Sequence, residues 1–152
     1  GIERGLVDVS WPGRLQILKK RPLVICDSAH NVSGVNSLVT TLRKIGFKSD
    51  VTVFGVLRDK KYHQMVKSLA GISRSFVFTK PDVPRALPIY RLKESGKELG
   101  LKFSAVGNVD RALRLVSAEA DKSYRILVCG SIFTVGEAMQ FFGFKPYRQR
   151  LC

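Results

Sequence analysis

The sequence predicts an α/β domain, a Rossmann-like three-layer sandwich with a mostly parallel sheet of about five to six strands and helices on both faces. Three observations lead there. Short runs rich in Val, Ile and Phe are apolar at consecutive positions, as strands buried on both faces are. Segments with apolar residues at helical spacing separate them. Capping and turn residues stand at the breaks.

Strands are expected at residues 23–27, 51–57, 75–79, 101–106 and 125–129. Residues 14–18 read as a further short strand, pairing with 23–26 through the basic turn Lys19-Lys20-Arg21. The helical faces are Val35, Leu38, Val39, Leu42 and Ile45; then Tyr62, Met65, Val66 and Leu69; then Val109, Ala112, Leu113 and Val116; then Val135, Ala138, Met139 and Phe142. Asn31 or Ser33 can cap the first of these helices, and Asn108 the helix that begins near Val109. Gly46 and Gly71 suit left-handed stops. Pro81, Pro84 and Pro88 make residues 80–88 a loop that leads into a helix over 89–99. The tail, residues 145–152, is polar and is expected to fray.

Length and composition suit one domain, spanning residues 1–152 with its core over 11–143. The chain has 152 residues, 45% apolar and 25% charged, enough to bury a core unaided. No apolar run approaches the roughly 18 residues that cross a membrane. The start, Gly1-Ile2-Glu3-Arg4, lacks the basic and apolar regions of a signal peptide and reads as cut from something longer. Cys26, Cys129 and Cys152 are three widely spaced cysteines, which makes no disulfide framework. Inert thiols in a reducing cytoplasm are expected. With two histidines and no CxxC, no metal site is expected.

The net charge is +14, from 26 Lys and Arg against 12 Asp and Glu. Such an excess suits an anionic partner: phosphates, polycarboxylates, nucleic acid or an acidic domain. The basic residues are scattered and not interleaved with stacking aromatics, which disfavours nucleic acid.

Four places could carry chemistry. The first is Asp27-Ser28-Ala29-His30-Asn31, where an apolar strand ends and a helix begins. Open α/β sheets bind ligands at that position. A carboxylate there can accept ribose hydroxyls, and an imidazolium can hold phosphate or carboxylate, whereas Asp27 and Asn31 can also serve only as caps. The second, Gly55-Val56-Leu57-Arg58-Asp59-Lys60-Lys61, reads best as a solvated turn before a helix. The third is Cys129-Gly130-Ser131, where the N–H groups of a helix start could cradle an anion. The fourth is Arg14, whose guanidinium can fork onto phosphate or carboxylate. His63 reads as a surface residue. GxGxxG, GxxxxGK[ST] and GxSxG are all missing, which excludes a dinucleotide fingerprint, a P-loop and a serine nucleophile elbow from this chain.

Taken in order, Trp11-Pro12-Gly13-Arg14-Leu15-Gln16, Leu23-Val24-Ile25-Cys26-Asp27-Ser28-Ala29-His30-Asn31, Gly55-Val56-Leu57-Arg58-Asp59-Lys60 and Val128-Cys129-Gly130-Ser131 stand at successive predicted strand ends. In this the sequence resembles the C-terminal domain of the folylpolyglutamate synthase and dihydrofolate synthase family, within the Mur ligase superfamily. The resemblance covers nearly the whole chain. It departs at Ser28, where the family often has Gly, and at Val32, where it often has Pro.

The resemblance implies an ATP-dependent amide ligase that uses Mg²⁺. A carboxylate of folate or dihydropteroate takes the γ-phosphate of ATP, and the amine of L-glutamate displaces phosphate from the acyl phosphate. It implies that the P-loop and metal ligands lie in a preceding ATP-binding domain absent from this chain, and that the isolated chain is inactive. By that pattern Arg14 and Asp27 bind the nucleotide, at its phosphates and its ribose. His30 is the catalytic candidate, near the reacting phosphate or the glutamate, and Ser131 a further substrate contact. A cytoplasmic monomer is expected. The competing reading is a stand-alone Rossmann-like module that binds nucleotide or nucleic acid.

Overall fold

The computed structural model describes residues 13–145. Trp11, Pro12, Cys152 and all but the first residue of the tail lie outside them. Six strands form one sheet: β1 (Gln16–Lys20), β2 (Leu23–Asp27), β3 (Val51–Phe54), β4 (Phe76–Phe78), β5 (Phe103–Ala105) and β6 (Arg125–Cys129). The order is β1-β2-β6-β3-β4-β5. Only β1 runs antiparallel, pairing with β2; the remaining pairs are parallel. Four helices connect the parallel strands, α1 (Val32–Lys44), α2 (Tyr62–Leu69), α3 (Ile89–Glu98) and α4 (Val109–Glu119), and α5 (Ile132–Phe141) follows β6.

Alternation along the strands divides the core in two. Leu23 and Ile25 of β2, Leu127 and Cys129 of β6 and Phe54, Phe76 and Phe78 pack with the apolar stripes of α1, α2 and α3. Val24, Cys26, Ile126, Val128, Val53 and Val77 face the other way and pack with α4 and α5. The inner strands β2, β3, β4 and β6 are thus buried on both faces, which is why their runs read as continuous rather than alternating.

Three expectations are corrected. Strand β5 is not buried on both faces: Phe103 is half-buried, and Ser104 and Ala105 are exposed. It is an edge strand with a neighbour on one side, so one face of its pattern is free to be polar. Gly71 is not a left-handed stop, whereas Gly46 and Gly100 are, at φ +71° and +64°. His63 is not a plain surface residue. Its Nδ1 lies 2.9 Å from the Ser95 hydroxyl, bridging α2 to α3.

The topology makes the site. From β2 the chain moves outward through β3, β4 and β5, with α1 to α3 on one face. It then returns through α4, on the opposite face, to place β6 between β2 and β3. The helices leaving β2 and β6 lie on opposite faces, which opens a crevice at the carboxyl ends of those two strands.

Candidate functional site

Asp27 closes β2 directly beside Cys129 of β6. It stands at the crevice because the apolar run before it is buried, so the first polar residue arrives at the sheet edge. The chain then turns through Ser28 to His30 and enters α1, with Asn31 as cap: its Oδ1 accepts from Gly34 N at 2.7 Å. On the far side of the crevice Ser131 caps α5.

The Asp27 side chain is 8% exposed, and both oxygens take backbone hydrogen bonds. Oδ1 accepts from Ala29 N at 2.8 Å and Oδ2 from Leu15 N at 3.1 Å. Burial raises its carboxyl above the ordinary 3.8, while the two N–H donors and the Arg14 charge pull it back down. The first job of Asp27 is therefore to tie the turn before β1 to the turn after β2. Each oxygen keeps a second lone-pair direction for a ligand hydroxyl.

A cleft of about 450 Å³ opens here, lined by Arg14, Asp27, Ser28, His30, Asn31 and Ser37 among others. Arg14 and His30 are both exposed. The His30 Nδ1 lies 3.2 Å from the Ser28 carbonyl, which directs the ring's other nitrogen outward. Two groups able to carry positive charge thus border one cleft above a buried carboxylate. Anionic oxygens are the ligand chemistry that suits it. Ser28 sits in the turn without left-handed backbone, so its side chain adds no backbone strain there.

Ser131 is placed differently. It is 1% exposed, and its hydroxyl accepts from Thr134 N at 3.0 Å and pairs with Thr134 Oγ1 at 2.9 Å. The hydroxyl thus serves the α5 cap, and the substrate contact expected at Ser131 is not among the interactions of this structure. Arg58 lies on the loop after β3 with Nη2 donating to the Pro84 carbonyl at 3.2 Å, and Lys60 pairs with Asp59 at 3.6 Å, as a solvated turn would have it.

Sequence reasoning assigned no role to two residues of this site. Leu15 has φ +42°, a left-handed backbone that non-glycine residues rarely adopt. Gln16 accepts from Gly13 N through Oε1 at 2.8 Å. No composition or periodicity signal marks the first. The second carried only the hint of an amide three residues past a glycine.

A Rossmann-like sheet with a cleft bordered by Arg14 and His30 at its switch point defines the class. The sequence matches the family model described as "Mur ligase, glutamate ligase domain" over residues 13–132, and the chain belongs to that family. It is 29% identical over 137 residues to the dihydrofolate synthase/folylpolyglutamate synthase of Bacillus subtilis, covering 90% of this chain and 31% of that protein. The folylpolyglutamate synthase of Mycobacterium tuberculosis, solved with ADP and AMPPCP, superimposes with a TM-score of 0.80 at 31% identity, covering 91% of this chain and 34% of that one. A bifunctional folylpolyglutamate synthase/dihydrofolate synthase of Yersinia pestis, complexed with AMPPNP and Mn, gives 0.75 at 29% identity, covering 88% and 32%. The chain thus spans about a third of the length of these relatives.

Among the described residues no helix is long and apolar enough to cross a membrane. Nor do they hold a cluster of three or more metal-ligating His, Cys, Asp or Glu side chains.

Proposed function

We propose that this chain is the C-terminal lobe of an ATP-dependent ligase that adds L-glutamate to folate or dihydropteroate. The observation that carries the proposal is the placing of Arg14 and His30 around one cleft at the β2–β6 switch point. Membership of a glutamate ligase domain family and the nucleotide analogues in similar structures support it.

In this reading the substrate carboxylate attacks the γ-phosphorus of ATP, the bond to ADP breaks, and an acyl phosphate forms. The amine of glutamate then attacks the acyl carbon, phosphate leaves, and the ammonium proton passes to a base. Arg14 forks onto the phosphate oxygens of the bound nucleotide and holds them through the reaction. Asp27 offers its remaining lone pairs to the ribose hydroxyls. His30 faces the transferred phosphate or the carboxylates of the incoming glutamate. Closing the lobe over the cleft keeps water from the acyl phosphate.

A divalent cation does not fit this chain's own donors. The cleft offers one carboxylate, Asp27, already accepting two N–H bonds. Magnesium ligands and the phosphate-binding loop are assigned to a preceding ATP-binding domain, and the whole protein is placed in the cytoplasm as a monomer. A stand-alone nucleotide- or nucleic-acid-binding module rests on the net charge of +14 and the missing P-loop, and the family match favours the ligase lobe over it.

The test is Arg14→Ala and Asp27→Ala in the full-length enzyme. The kcat/KM for ATP should fall at least roughly a hundredfold for Arg14→Ala, as for loss of a charge-assisted bidentate contact worth about 3 kcal/mol, with circular dichroism unchanged. Full activity in both variants would overturn the site.

A further inference from the structure

The strained backbone at Leu15 calls for a cause. A non-glycine residue at φ +42° is costly and persists only where its surroundings over-determine it. Here three hydrogen bonds do so. Gln16 Oε1 accepts from Gly13 N at 2.8 Å, the Gly13 carbonyl accepts from Ser28 N at 2.7 Å, and Asp27 Oδ2 accepts from Leu15 N at 3.1 Å. Gly13 is itself left-handed at φ +75°, and a Cβ there would already touch Val135 of α5 at 3.4 Å. The turn is thus bound on every side, with Arg14 at its centre, exposed and lining the cleft.

The bonds attach to both neighbours of Arg14 and leave its side chain to the cleft. A free surface arginine loses rotamer entropy when it is fixed on a ligand. A rigid backbone beneath it removes part of the reorganisation that binding would otherwise require.

We propose that Gln16 is a positioning residue for Arg14: with Asp27 it locks the turn in its strained form, so that the guanidinium stands ready for the nucleotide phosphates. The proposal rests on the ligase reading given above. Gln16 touches no ligand in this account. It acts through the Gly13 N–H, and its amide oxygen is the atom that matters.

The experiment is steady-state kinetics on the full-length enzyme. Gln16→Ala should raise the KM for ATP roughly tenfold while kcat changes less than about threefold, because a loosened turn weakens phosphate contact more than chemistry. Gln16→Glu keeps an oxygen acceptor and should restore KM to within about threefold of wild type. In the Arg14→Ala background, Gln16→Ala should add nothing, since the group it positions is gone. An unchanged KM for ATP in Gln16→Ala, or losses that multiply in the double variant, overturns the positioning role while leaving the ligase reading intact. Full activity in Arg14→Ala removes the Arg14 assignment on which the positioning role rests, whereas a wild-type protein that does not ligate glutamate removes the ligase reading itself. Gln16→Asn guards against a Gln16→Ala protein that fails to fold. It keeps a polar amide of similar shape but withdraws the oxygen from the Gly13 N–H, so it should show the same KM defect; a wild-type KM there also overturns the proposal.

Discussion

The hydroxyl of Thr134 donates to the carbonyl of Gly55 at 2.8 Å, joining α5 to the turn after β3. Thr134 is fully buried, and its hydroxyl also pairs with Ser131 Oγ. One side chain thus holds the strand ends of β3 and β6 together beneath the crevice. Thr134→Val keeps the shape and removes the donor, stranding a carbonyl. It should destabilise the fold by about 1–2 kcal/mol, as loss of one buried hydrogen-bond partner does. Urea unfolding measures it, and a loss below experimental error would mean the carbonyl finds another donor.

Beside it, Gly130 has φ +118°, and a Cβ there would collide with the Gly55 carbonyl. Strain and steric overlap act together, so Gly130→Ala should cost more than Thr134→Val, at least about 3 kcal/mol. Thermal denaturation of the two variants decides the order.

Gly96 sits inside α3, where alanine would ordinarily stabilise a helix by about 1 kcal/mol. Its Cβ would lie 2.6 Å from the Phe103 ring and 2.9 Å from the Phe78 ring. Those rings are packed on each other at 5.3 Å between centroids, so neither yields freely. Overpacking of this kind costs about 1–3 kcal/mol and outweighs the propensity gain. Gly96→Ala is expected to lower Tm; a rise would show that β5, at the sheet edge, moves outward to make room.

Most of the fold was legible because the sheet is buried on both sides. Consecutive apolar residues such as Val24-Ile25-Cys26 have no other good explanation. What failed were features set by position in the finished sheet. Nothing in Phe103-Ser104-Ala105 says that β5 has no outer neighbour. Gly71 and Gly100 look alike as helix stops, yet only Gly100 takes the left-handed backbone. At the site, Arg14, Asp27 and His30 could be picked by charge at strand ends. Their division of labour could not: the bonds from Asp27 to Leu15 and Ala29 exist only once the two turns meet. Ser131 shows the converse, a polar residue at the right edge whose hydroxyl the helix cap takes up.

Cys26 and Cys129 are fully buried. Burial pushes the Cys26 thiol up to about 12, with Asp27 adding to it, and the Cys129 thiol is raised for the same reasons. The thiolate is the reactive form. Neither should react with iodoacetamide in the native protein at pH 8, and both should react after denaturation, as peptide mass mapping can read. Native labelling at Cys26 would mean that the β2 edge opens far more often than its packing implies.

The carboxyl of Asp27 offers a sharper test, because opposing effects act on it. Burial raises it above 3.8, and the N–H groups of Ala29 and Leu15 and the charge of Arg14 lower it, with burial prevailing. The folded state therefore binds more protons than the unfolded chain in the interval above 3.8. In that interval stability falls as pH rises, and it levels off once the folded carboxyl has ionised. Asp27→Asn lacks this titration but also lacks one acceptor oxygen, so its absolute stability is offset by a constant. The difference between wild type and Asp27→Asn carries the sign. From about pH 4 upward it should move against wild type and then flatten. A difference that moves in favour of wild type would mean that the two N–H groups and Arg14 outweigh burial. Asp27 would then gain from ionisation in the fold, and the strained turn it ties to β2 would strengthen, rather than weaken, as the pH rises.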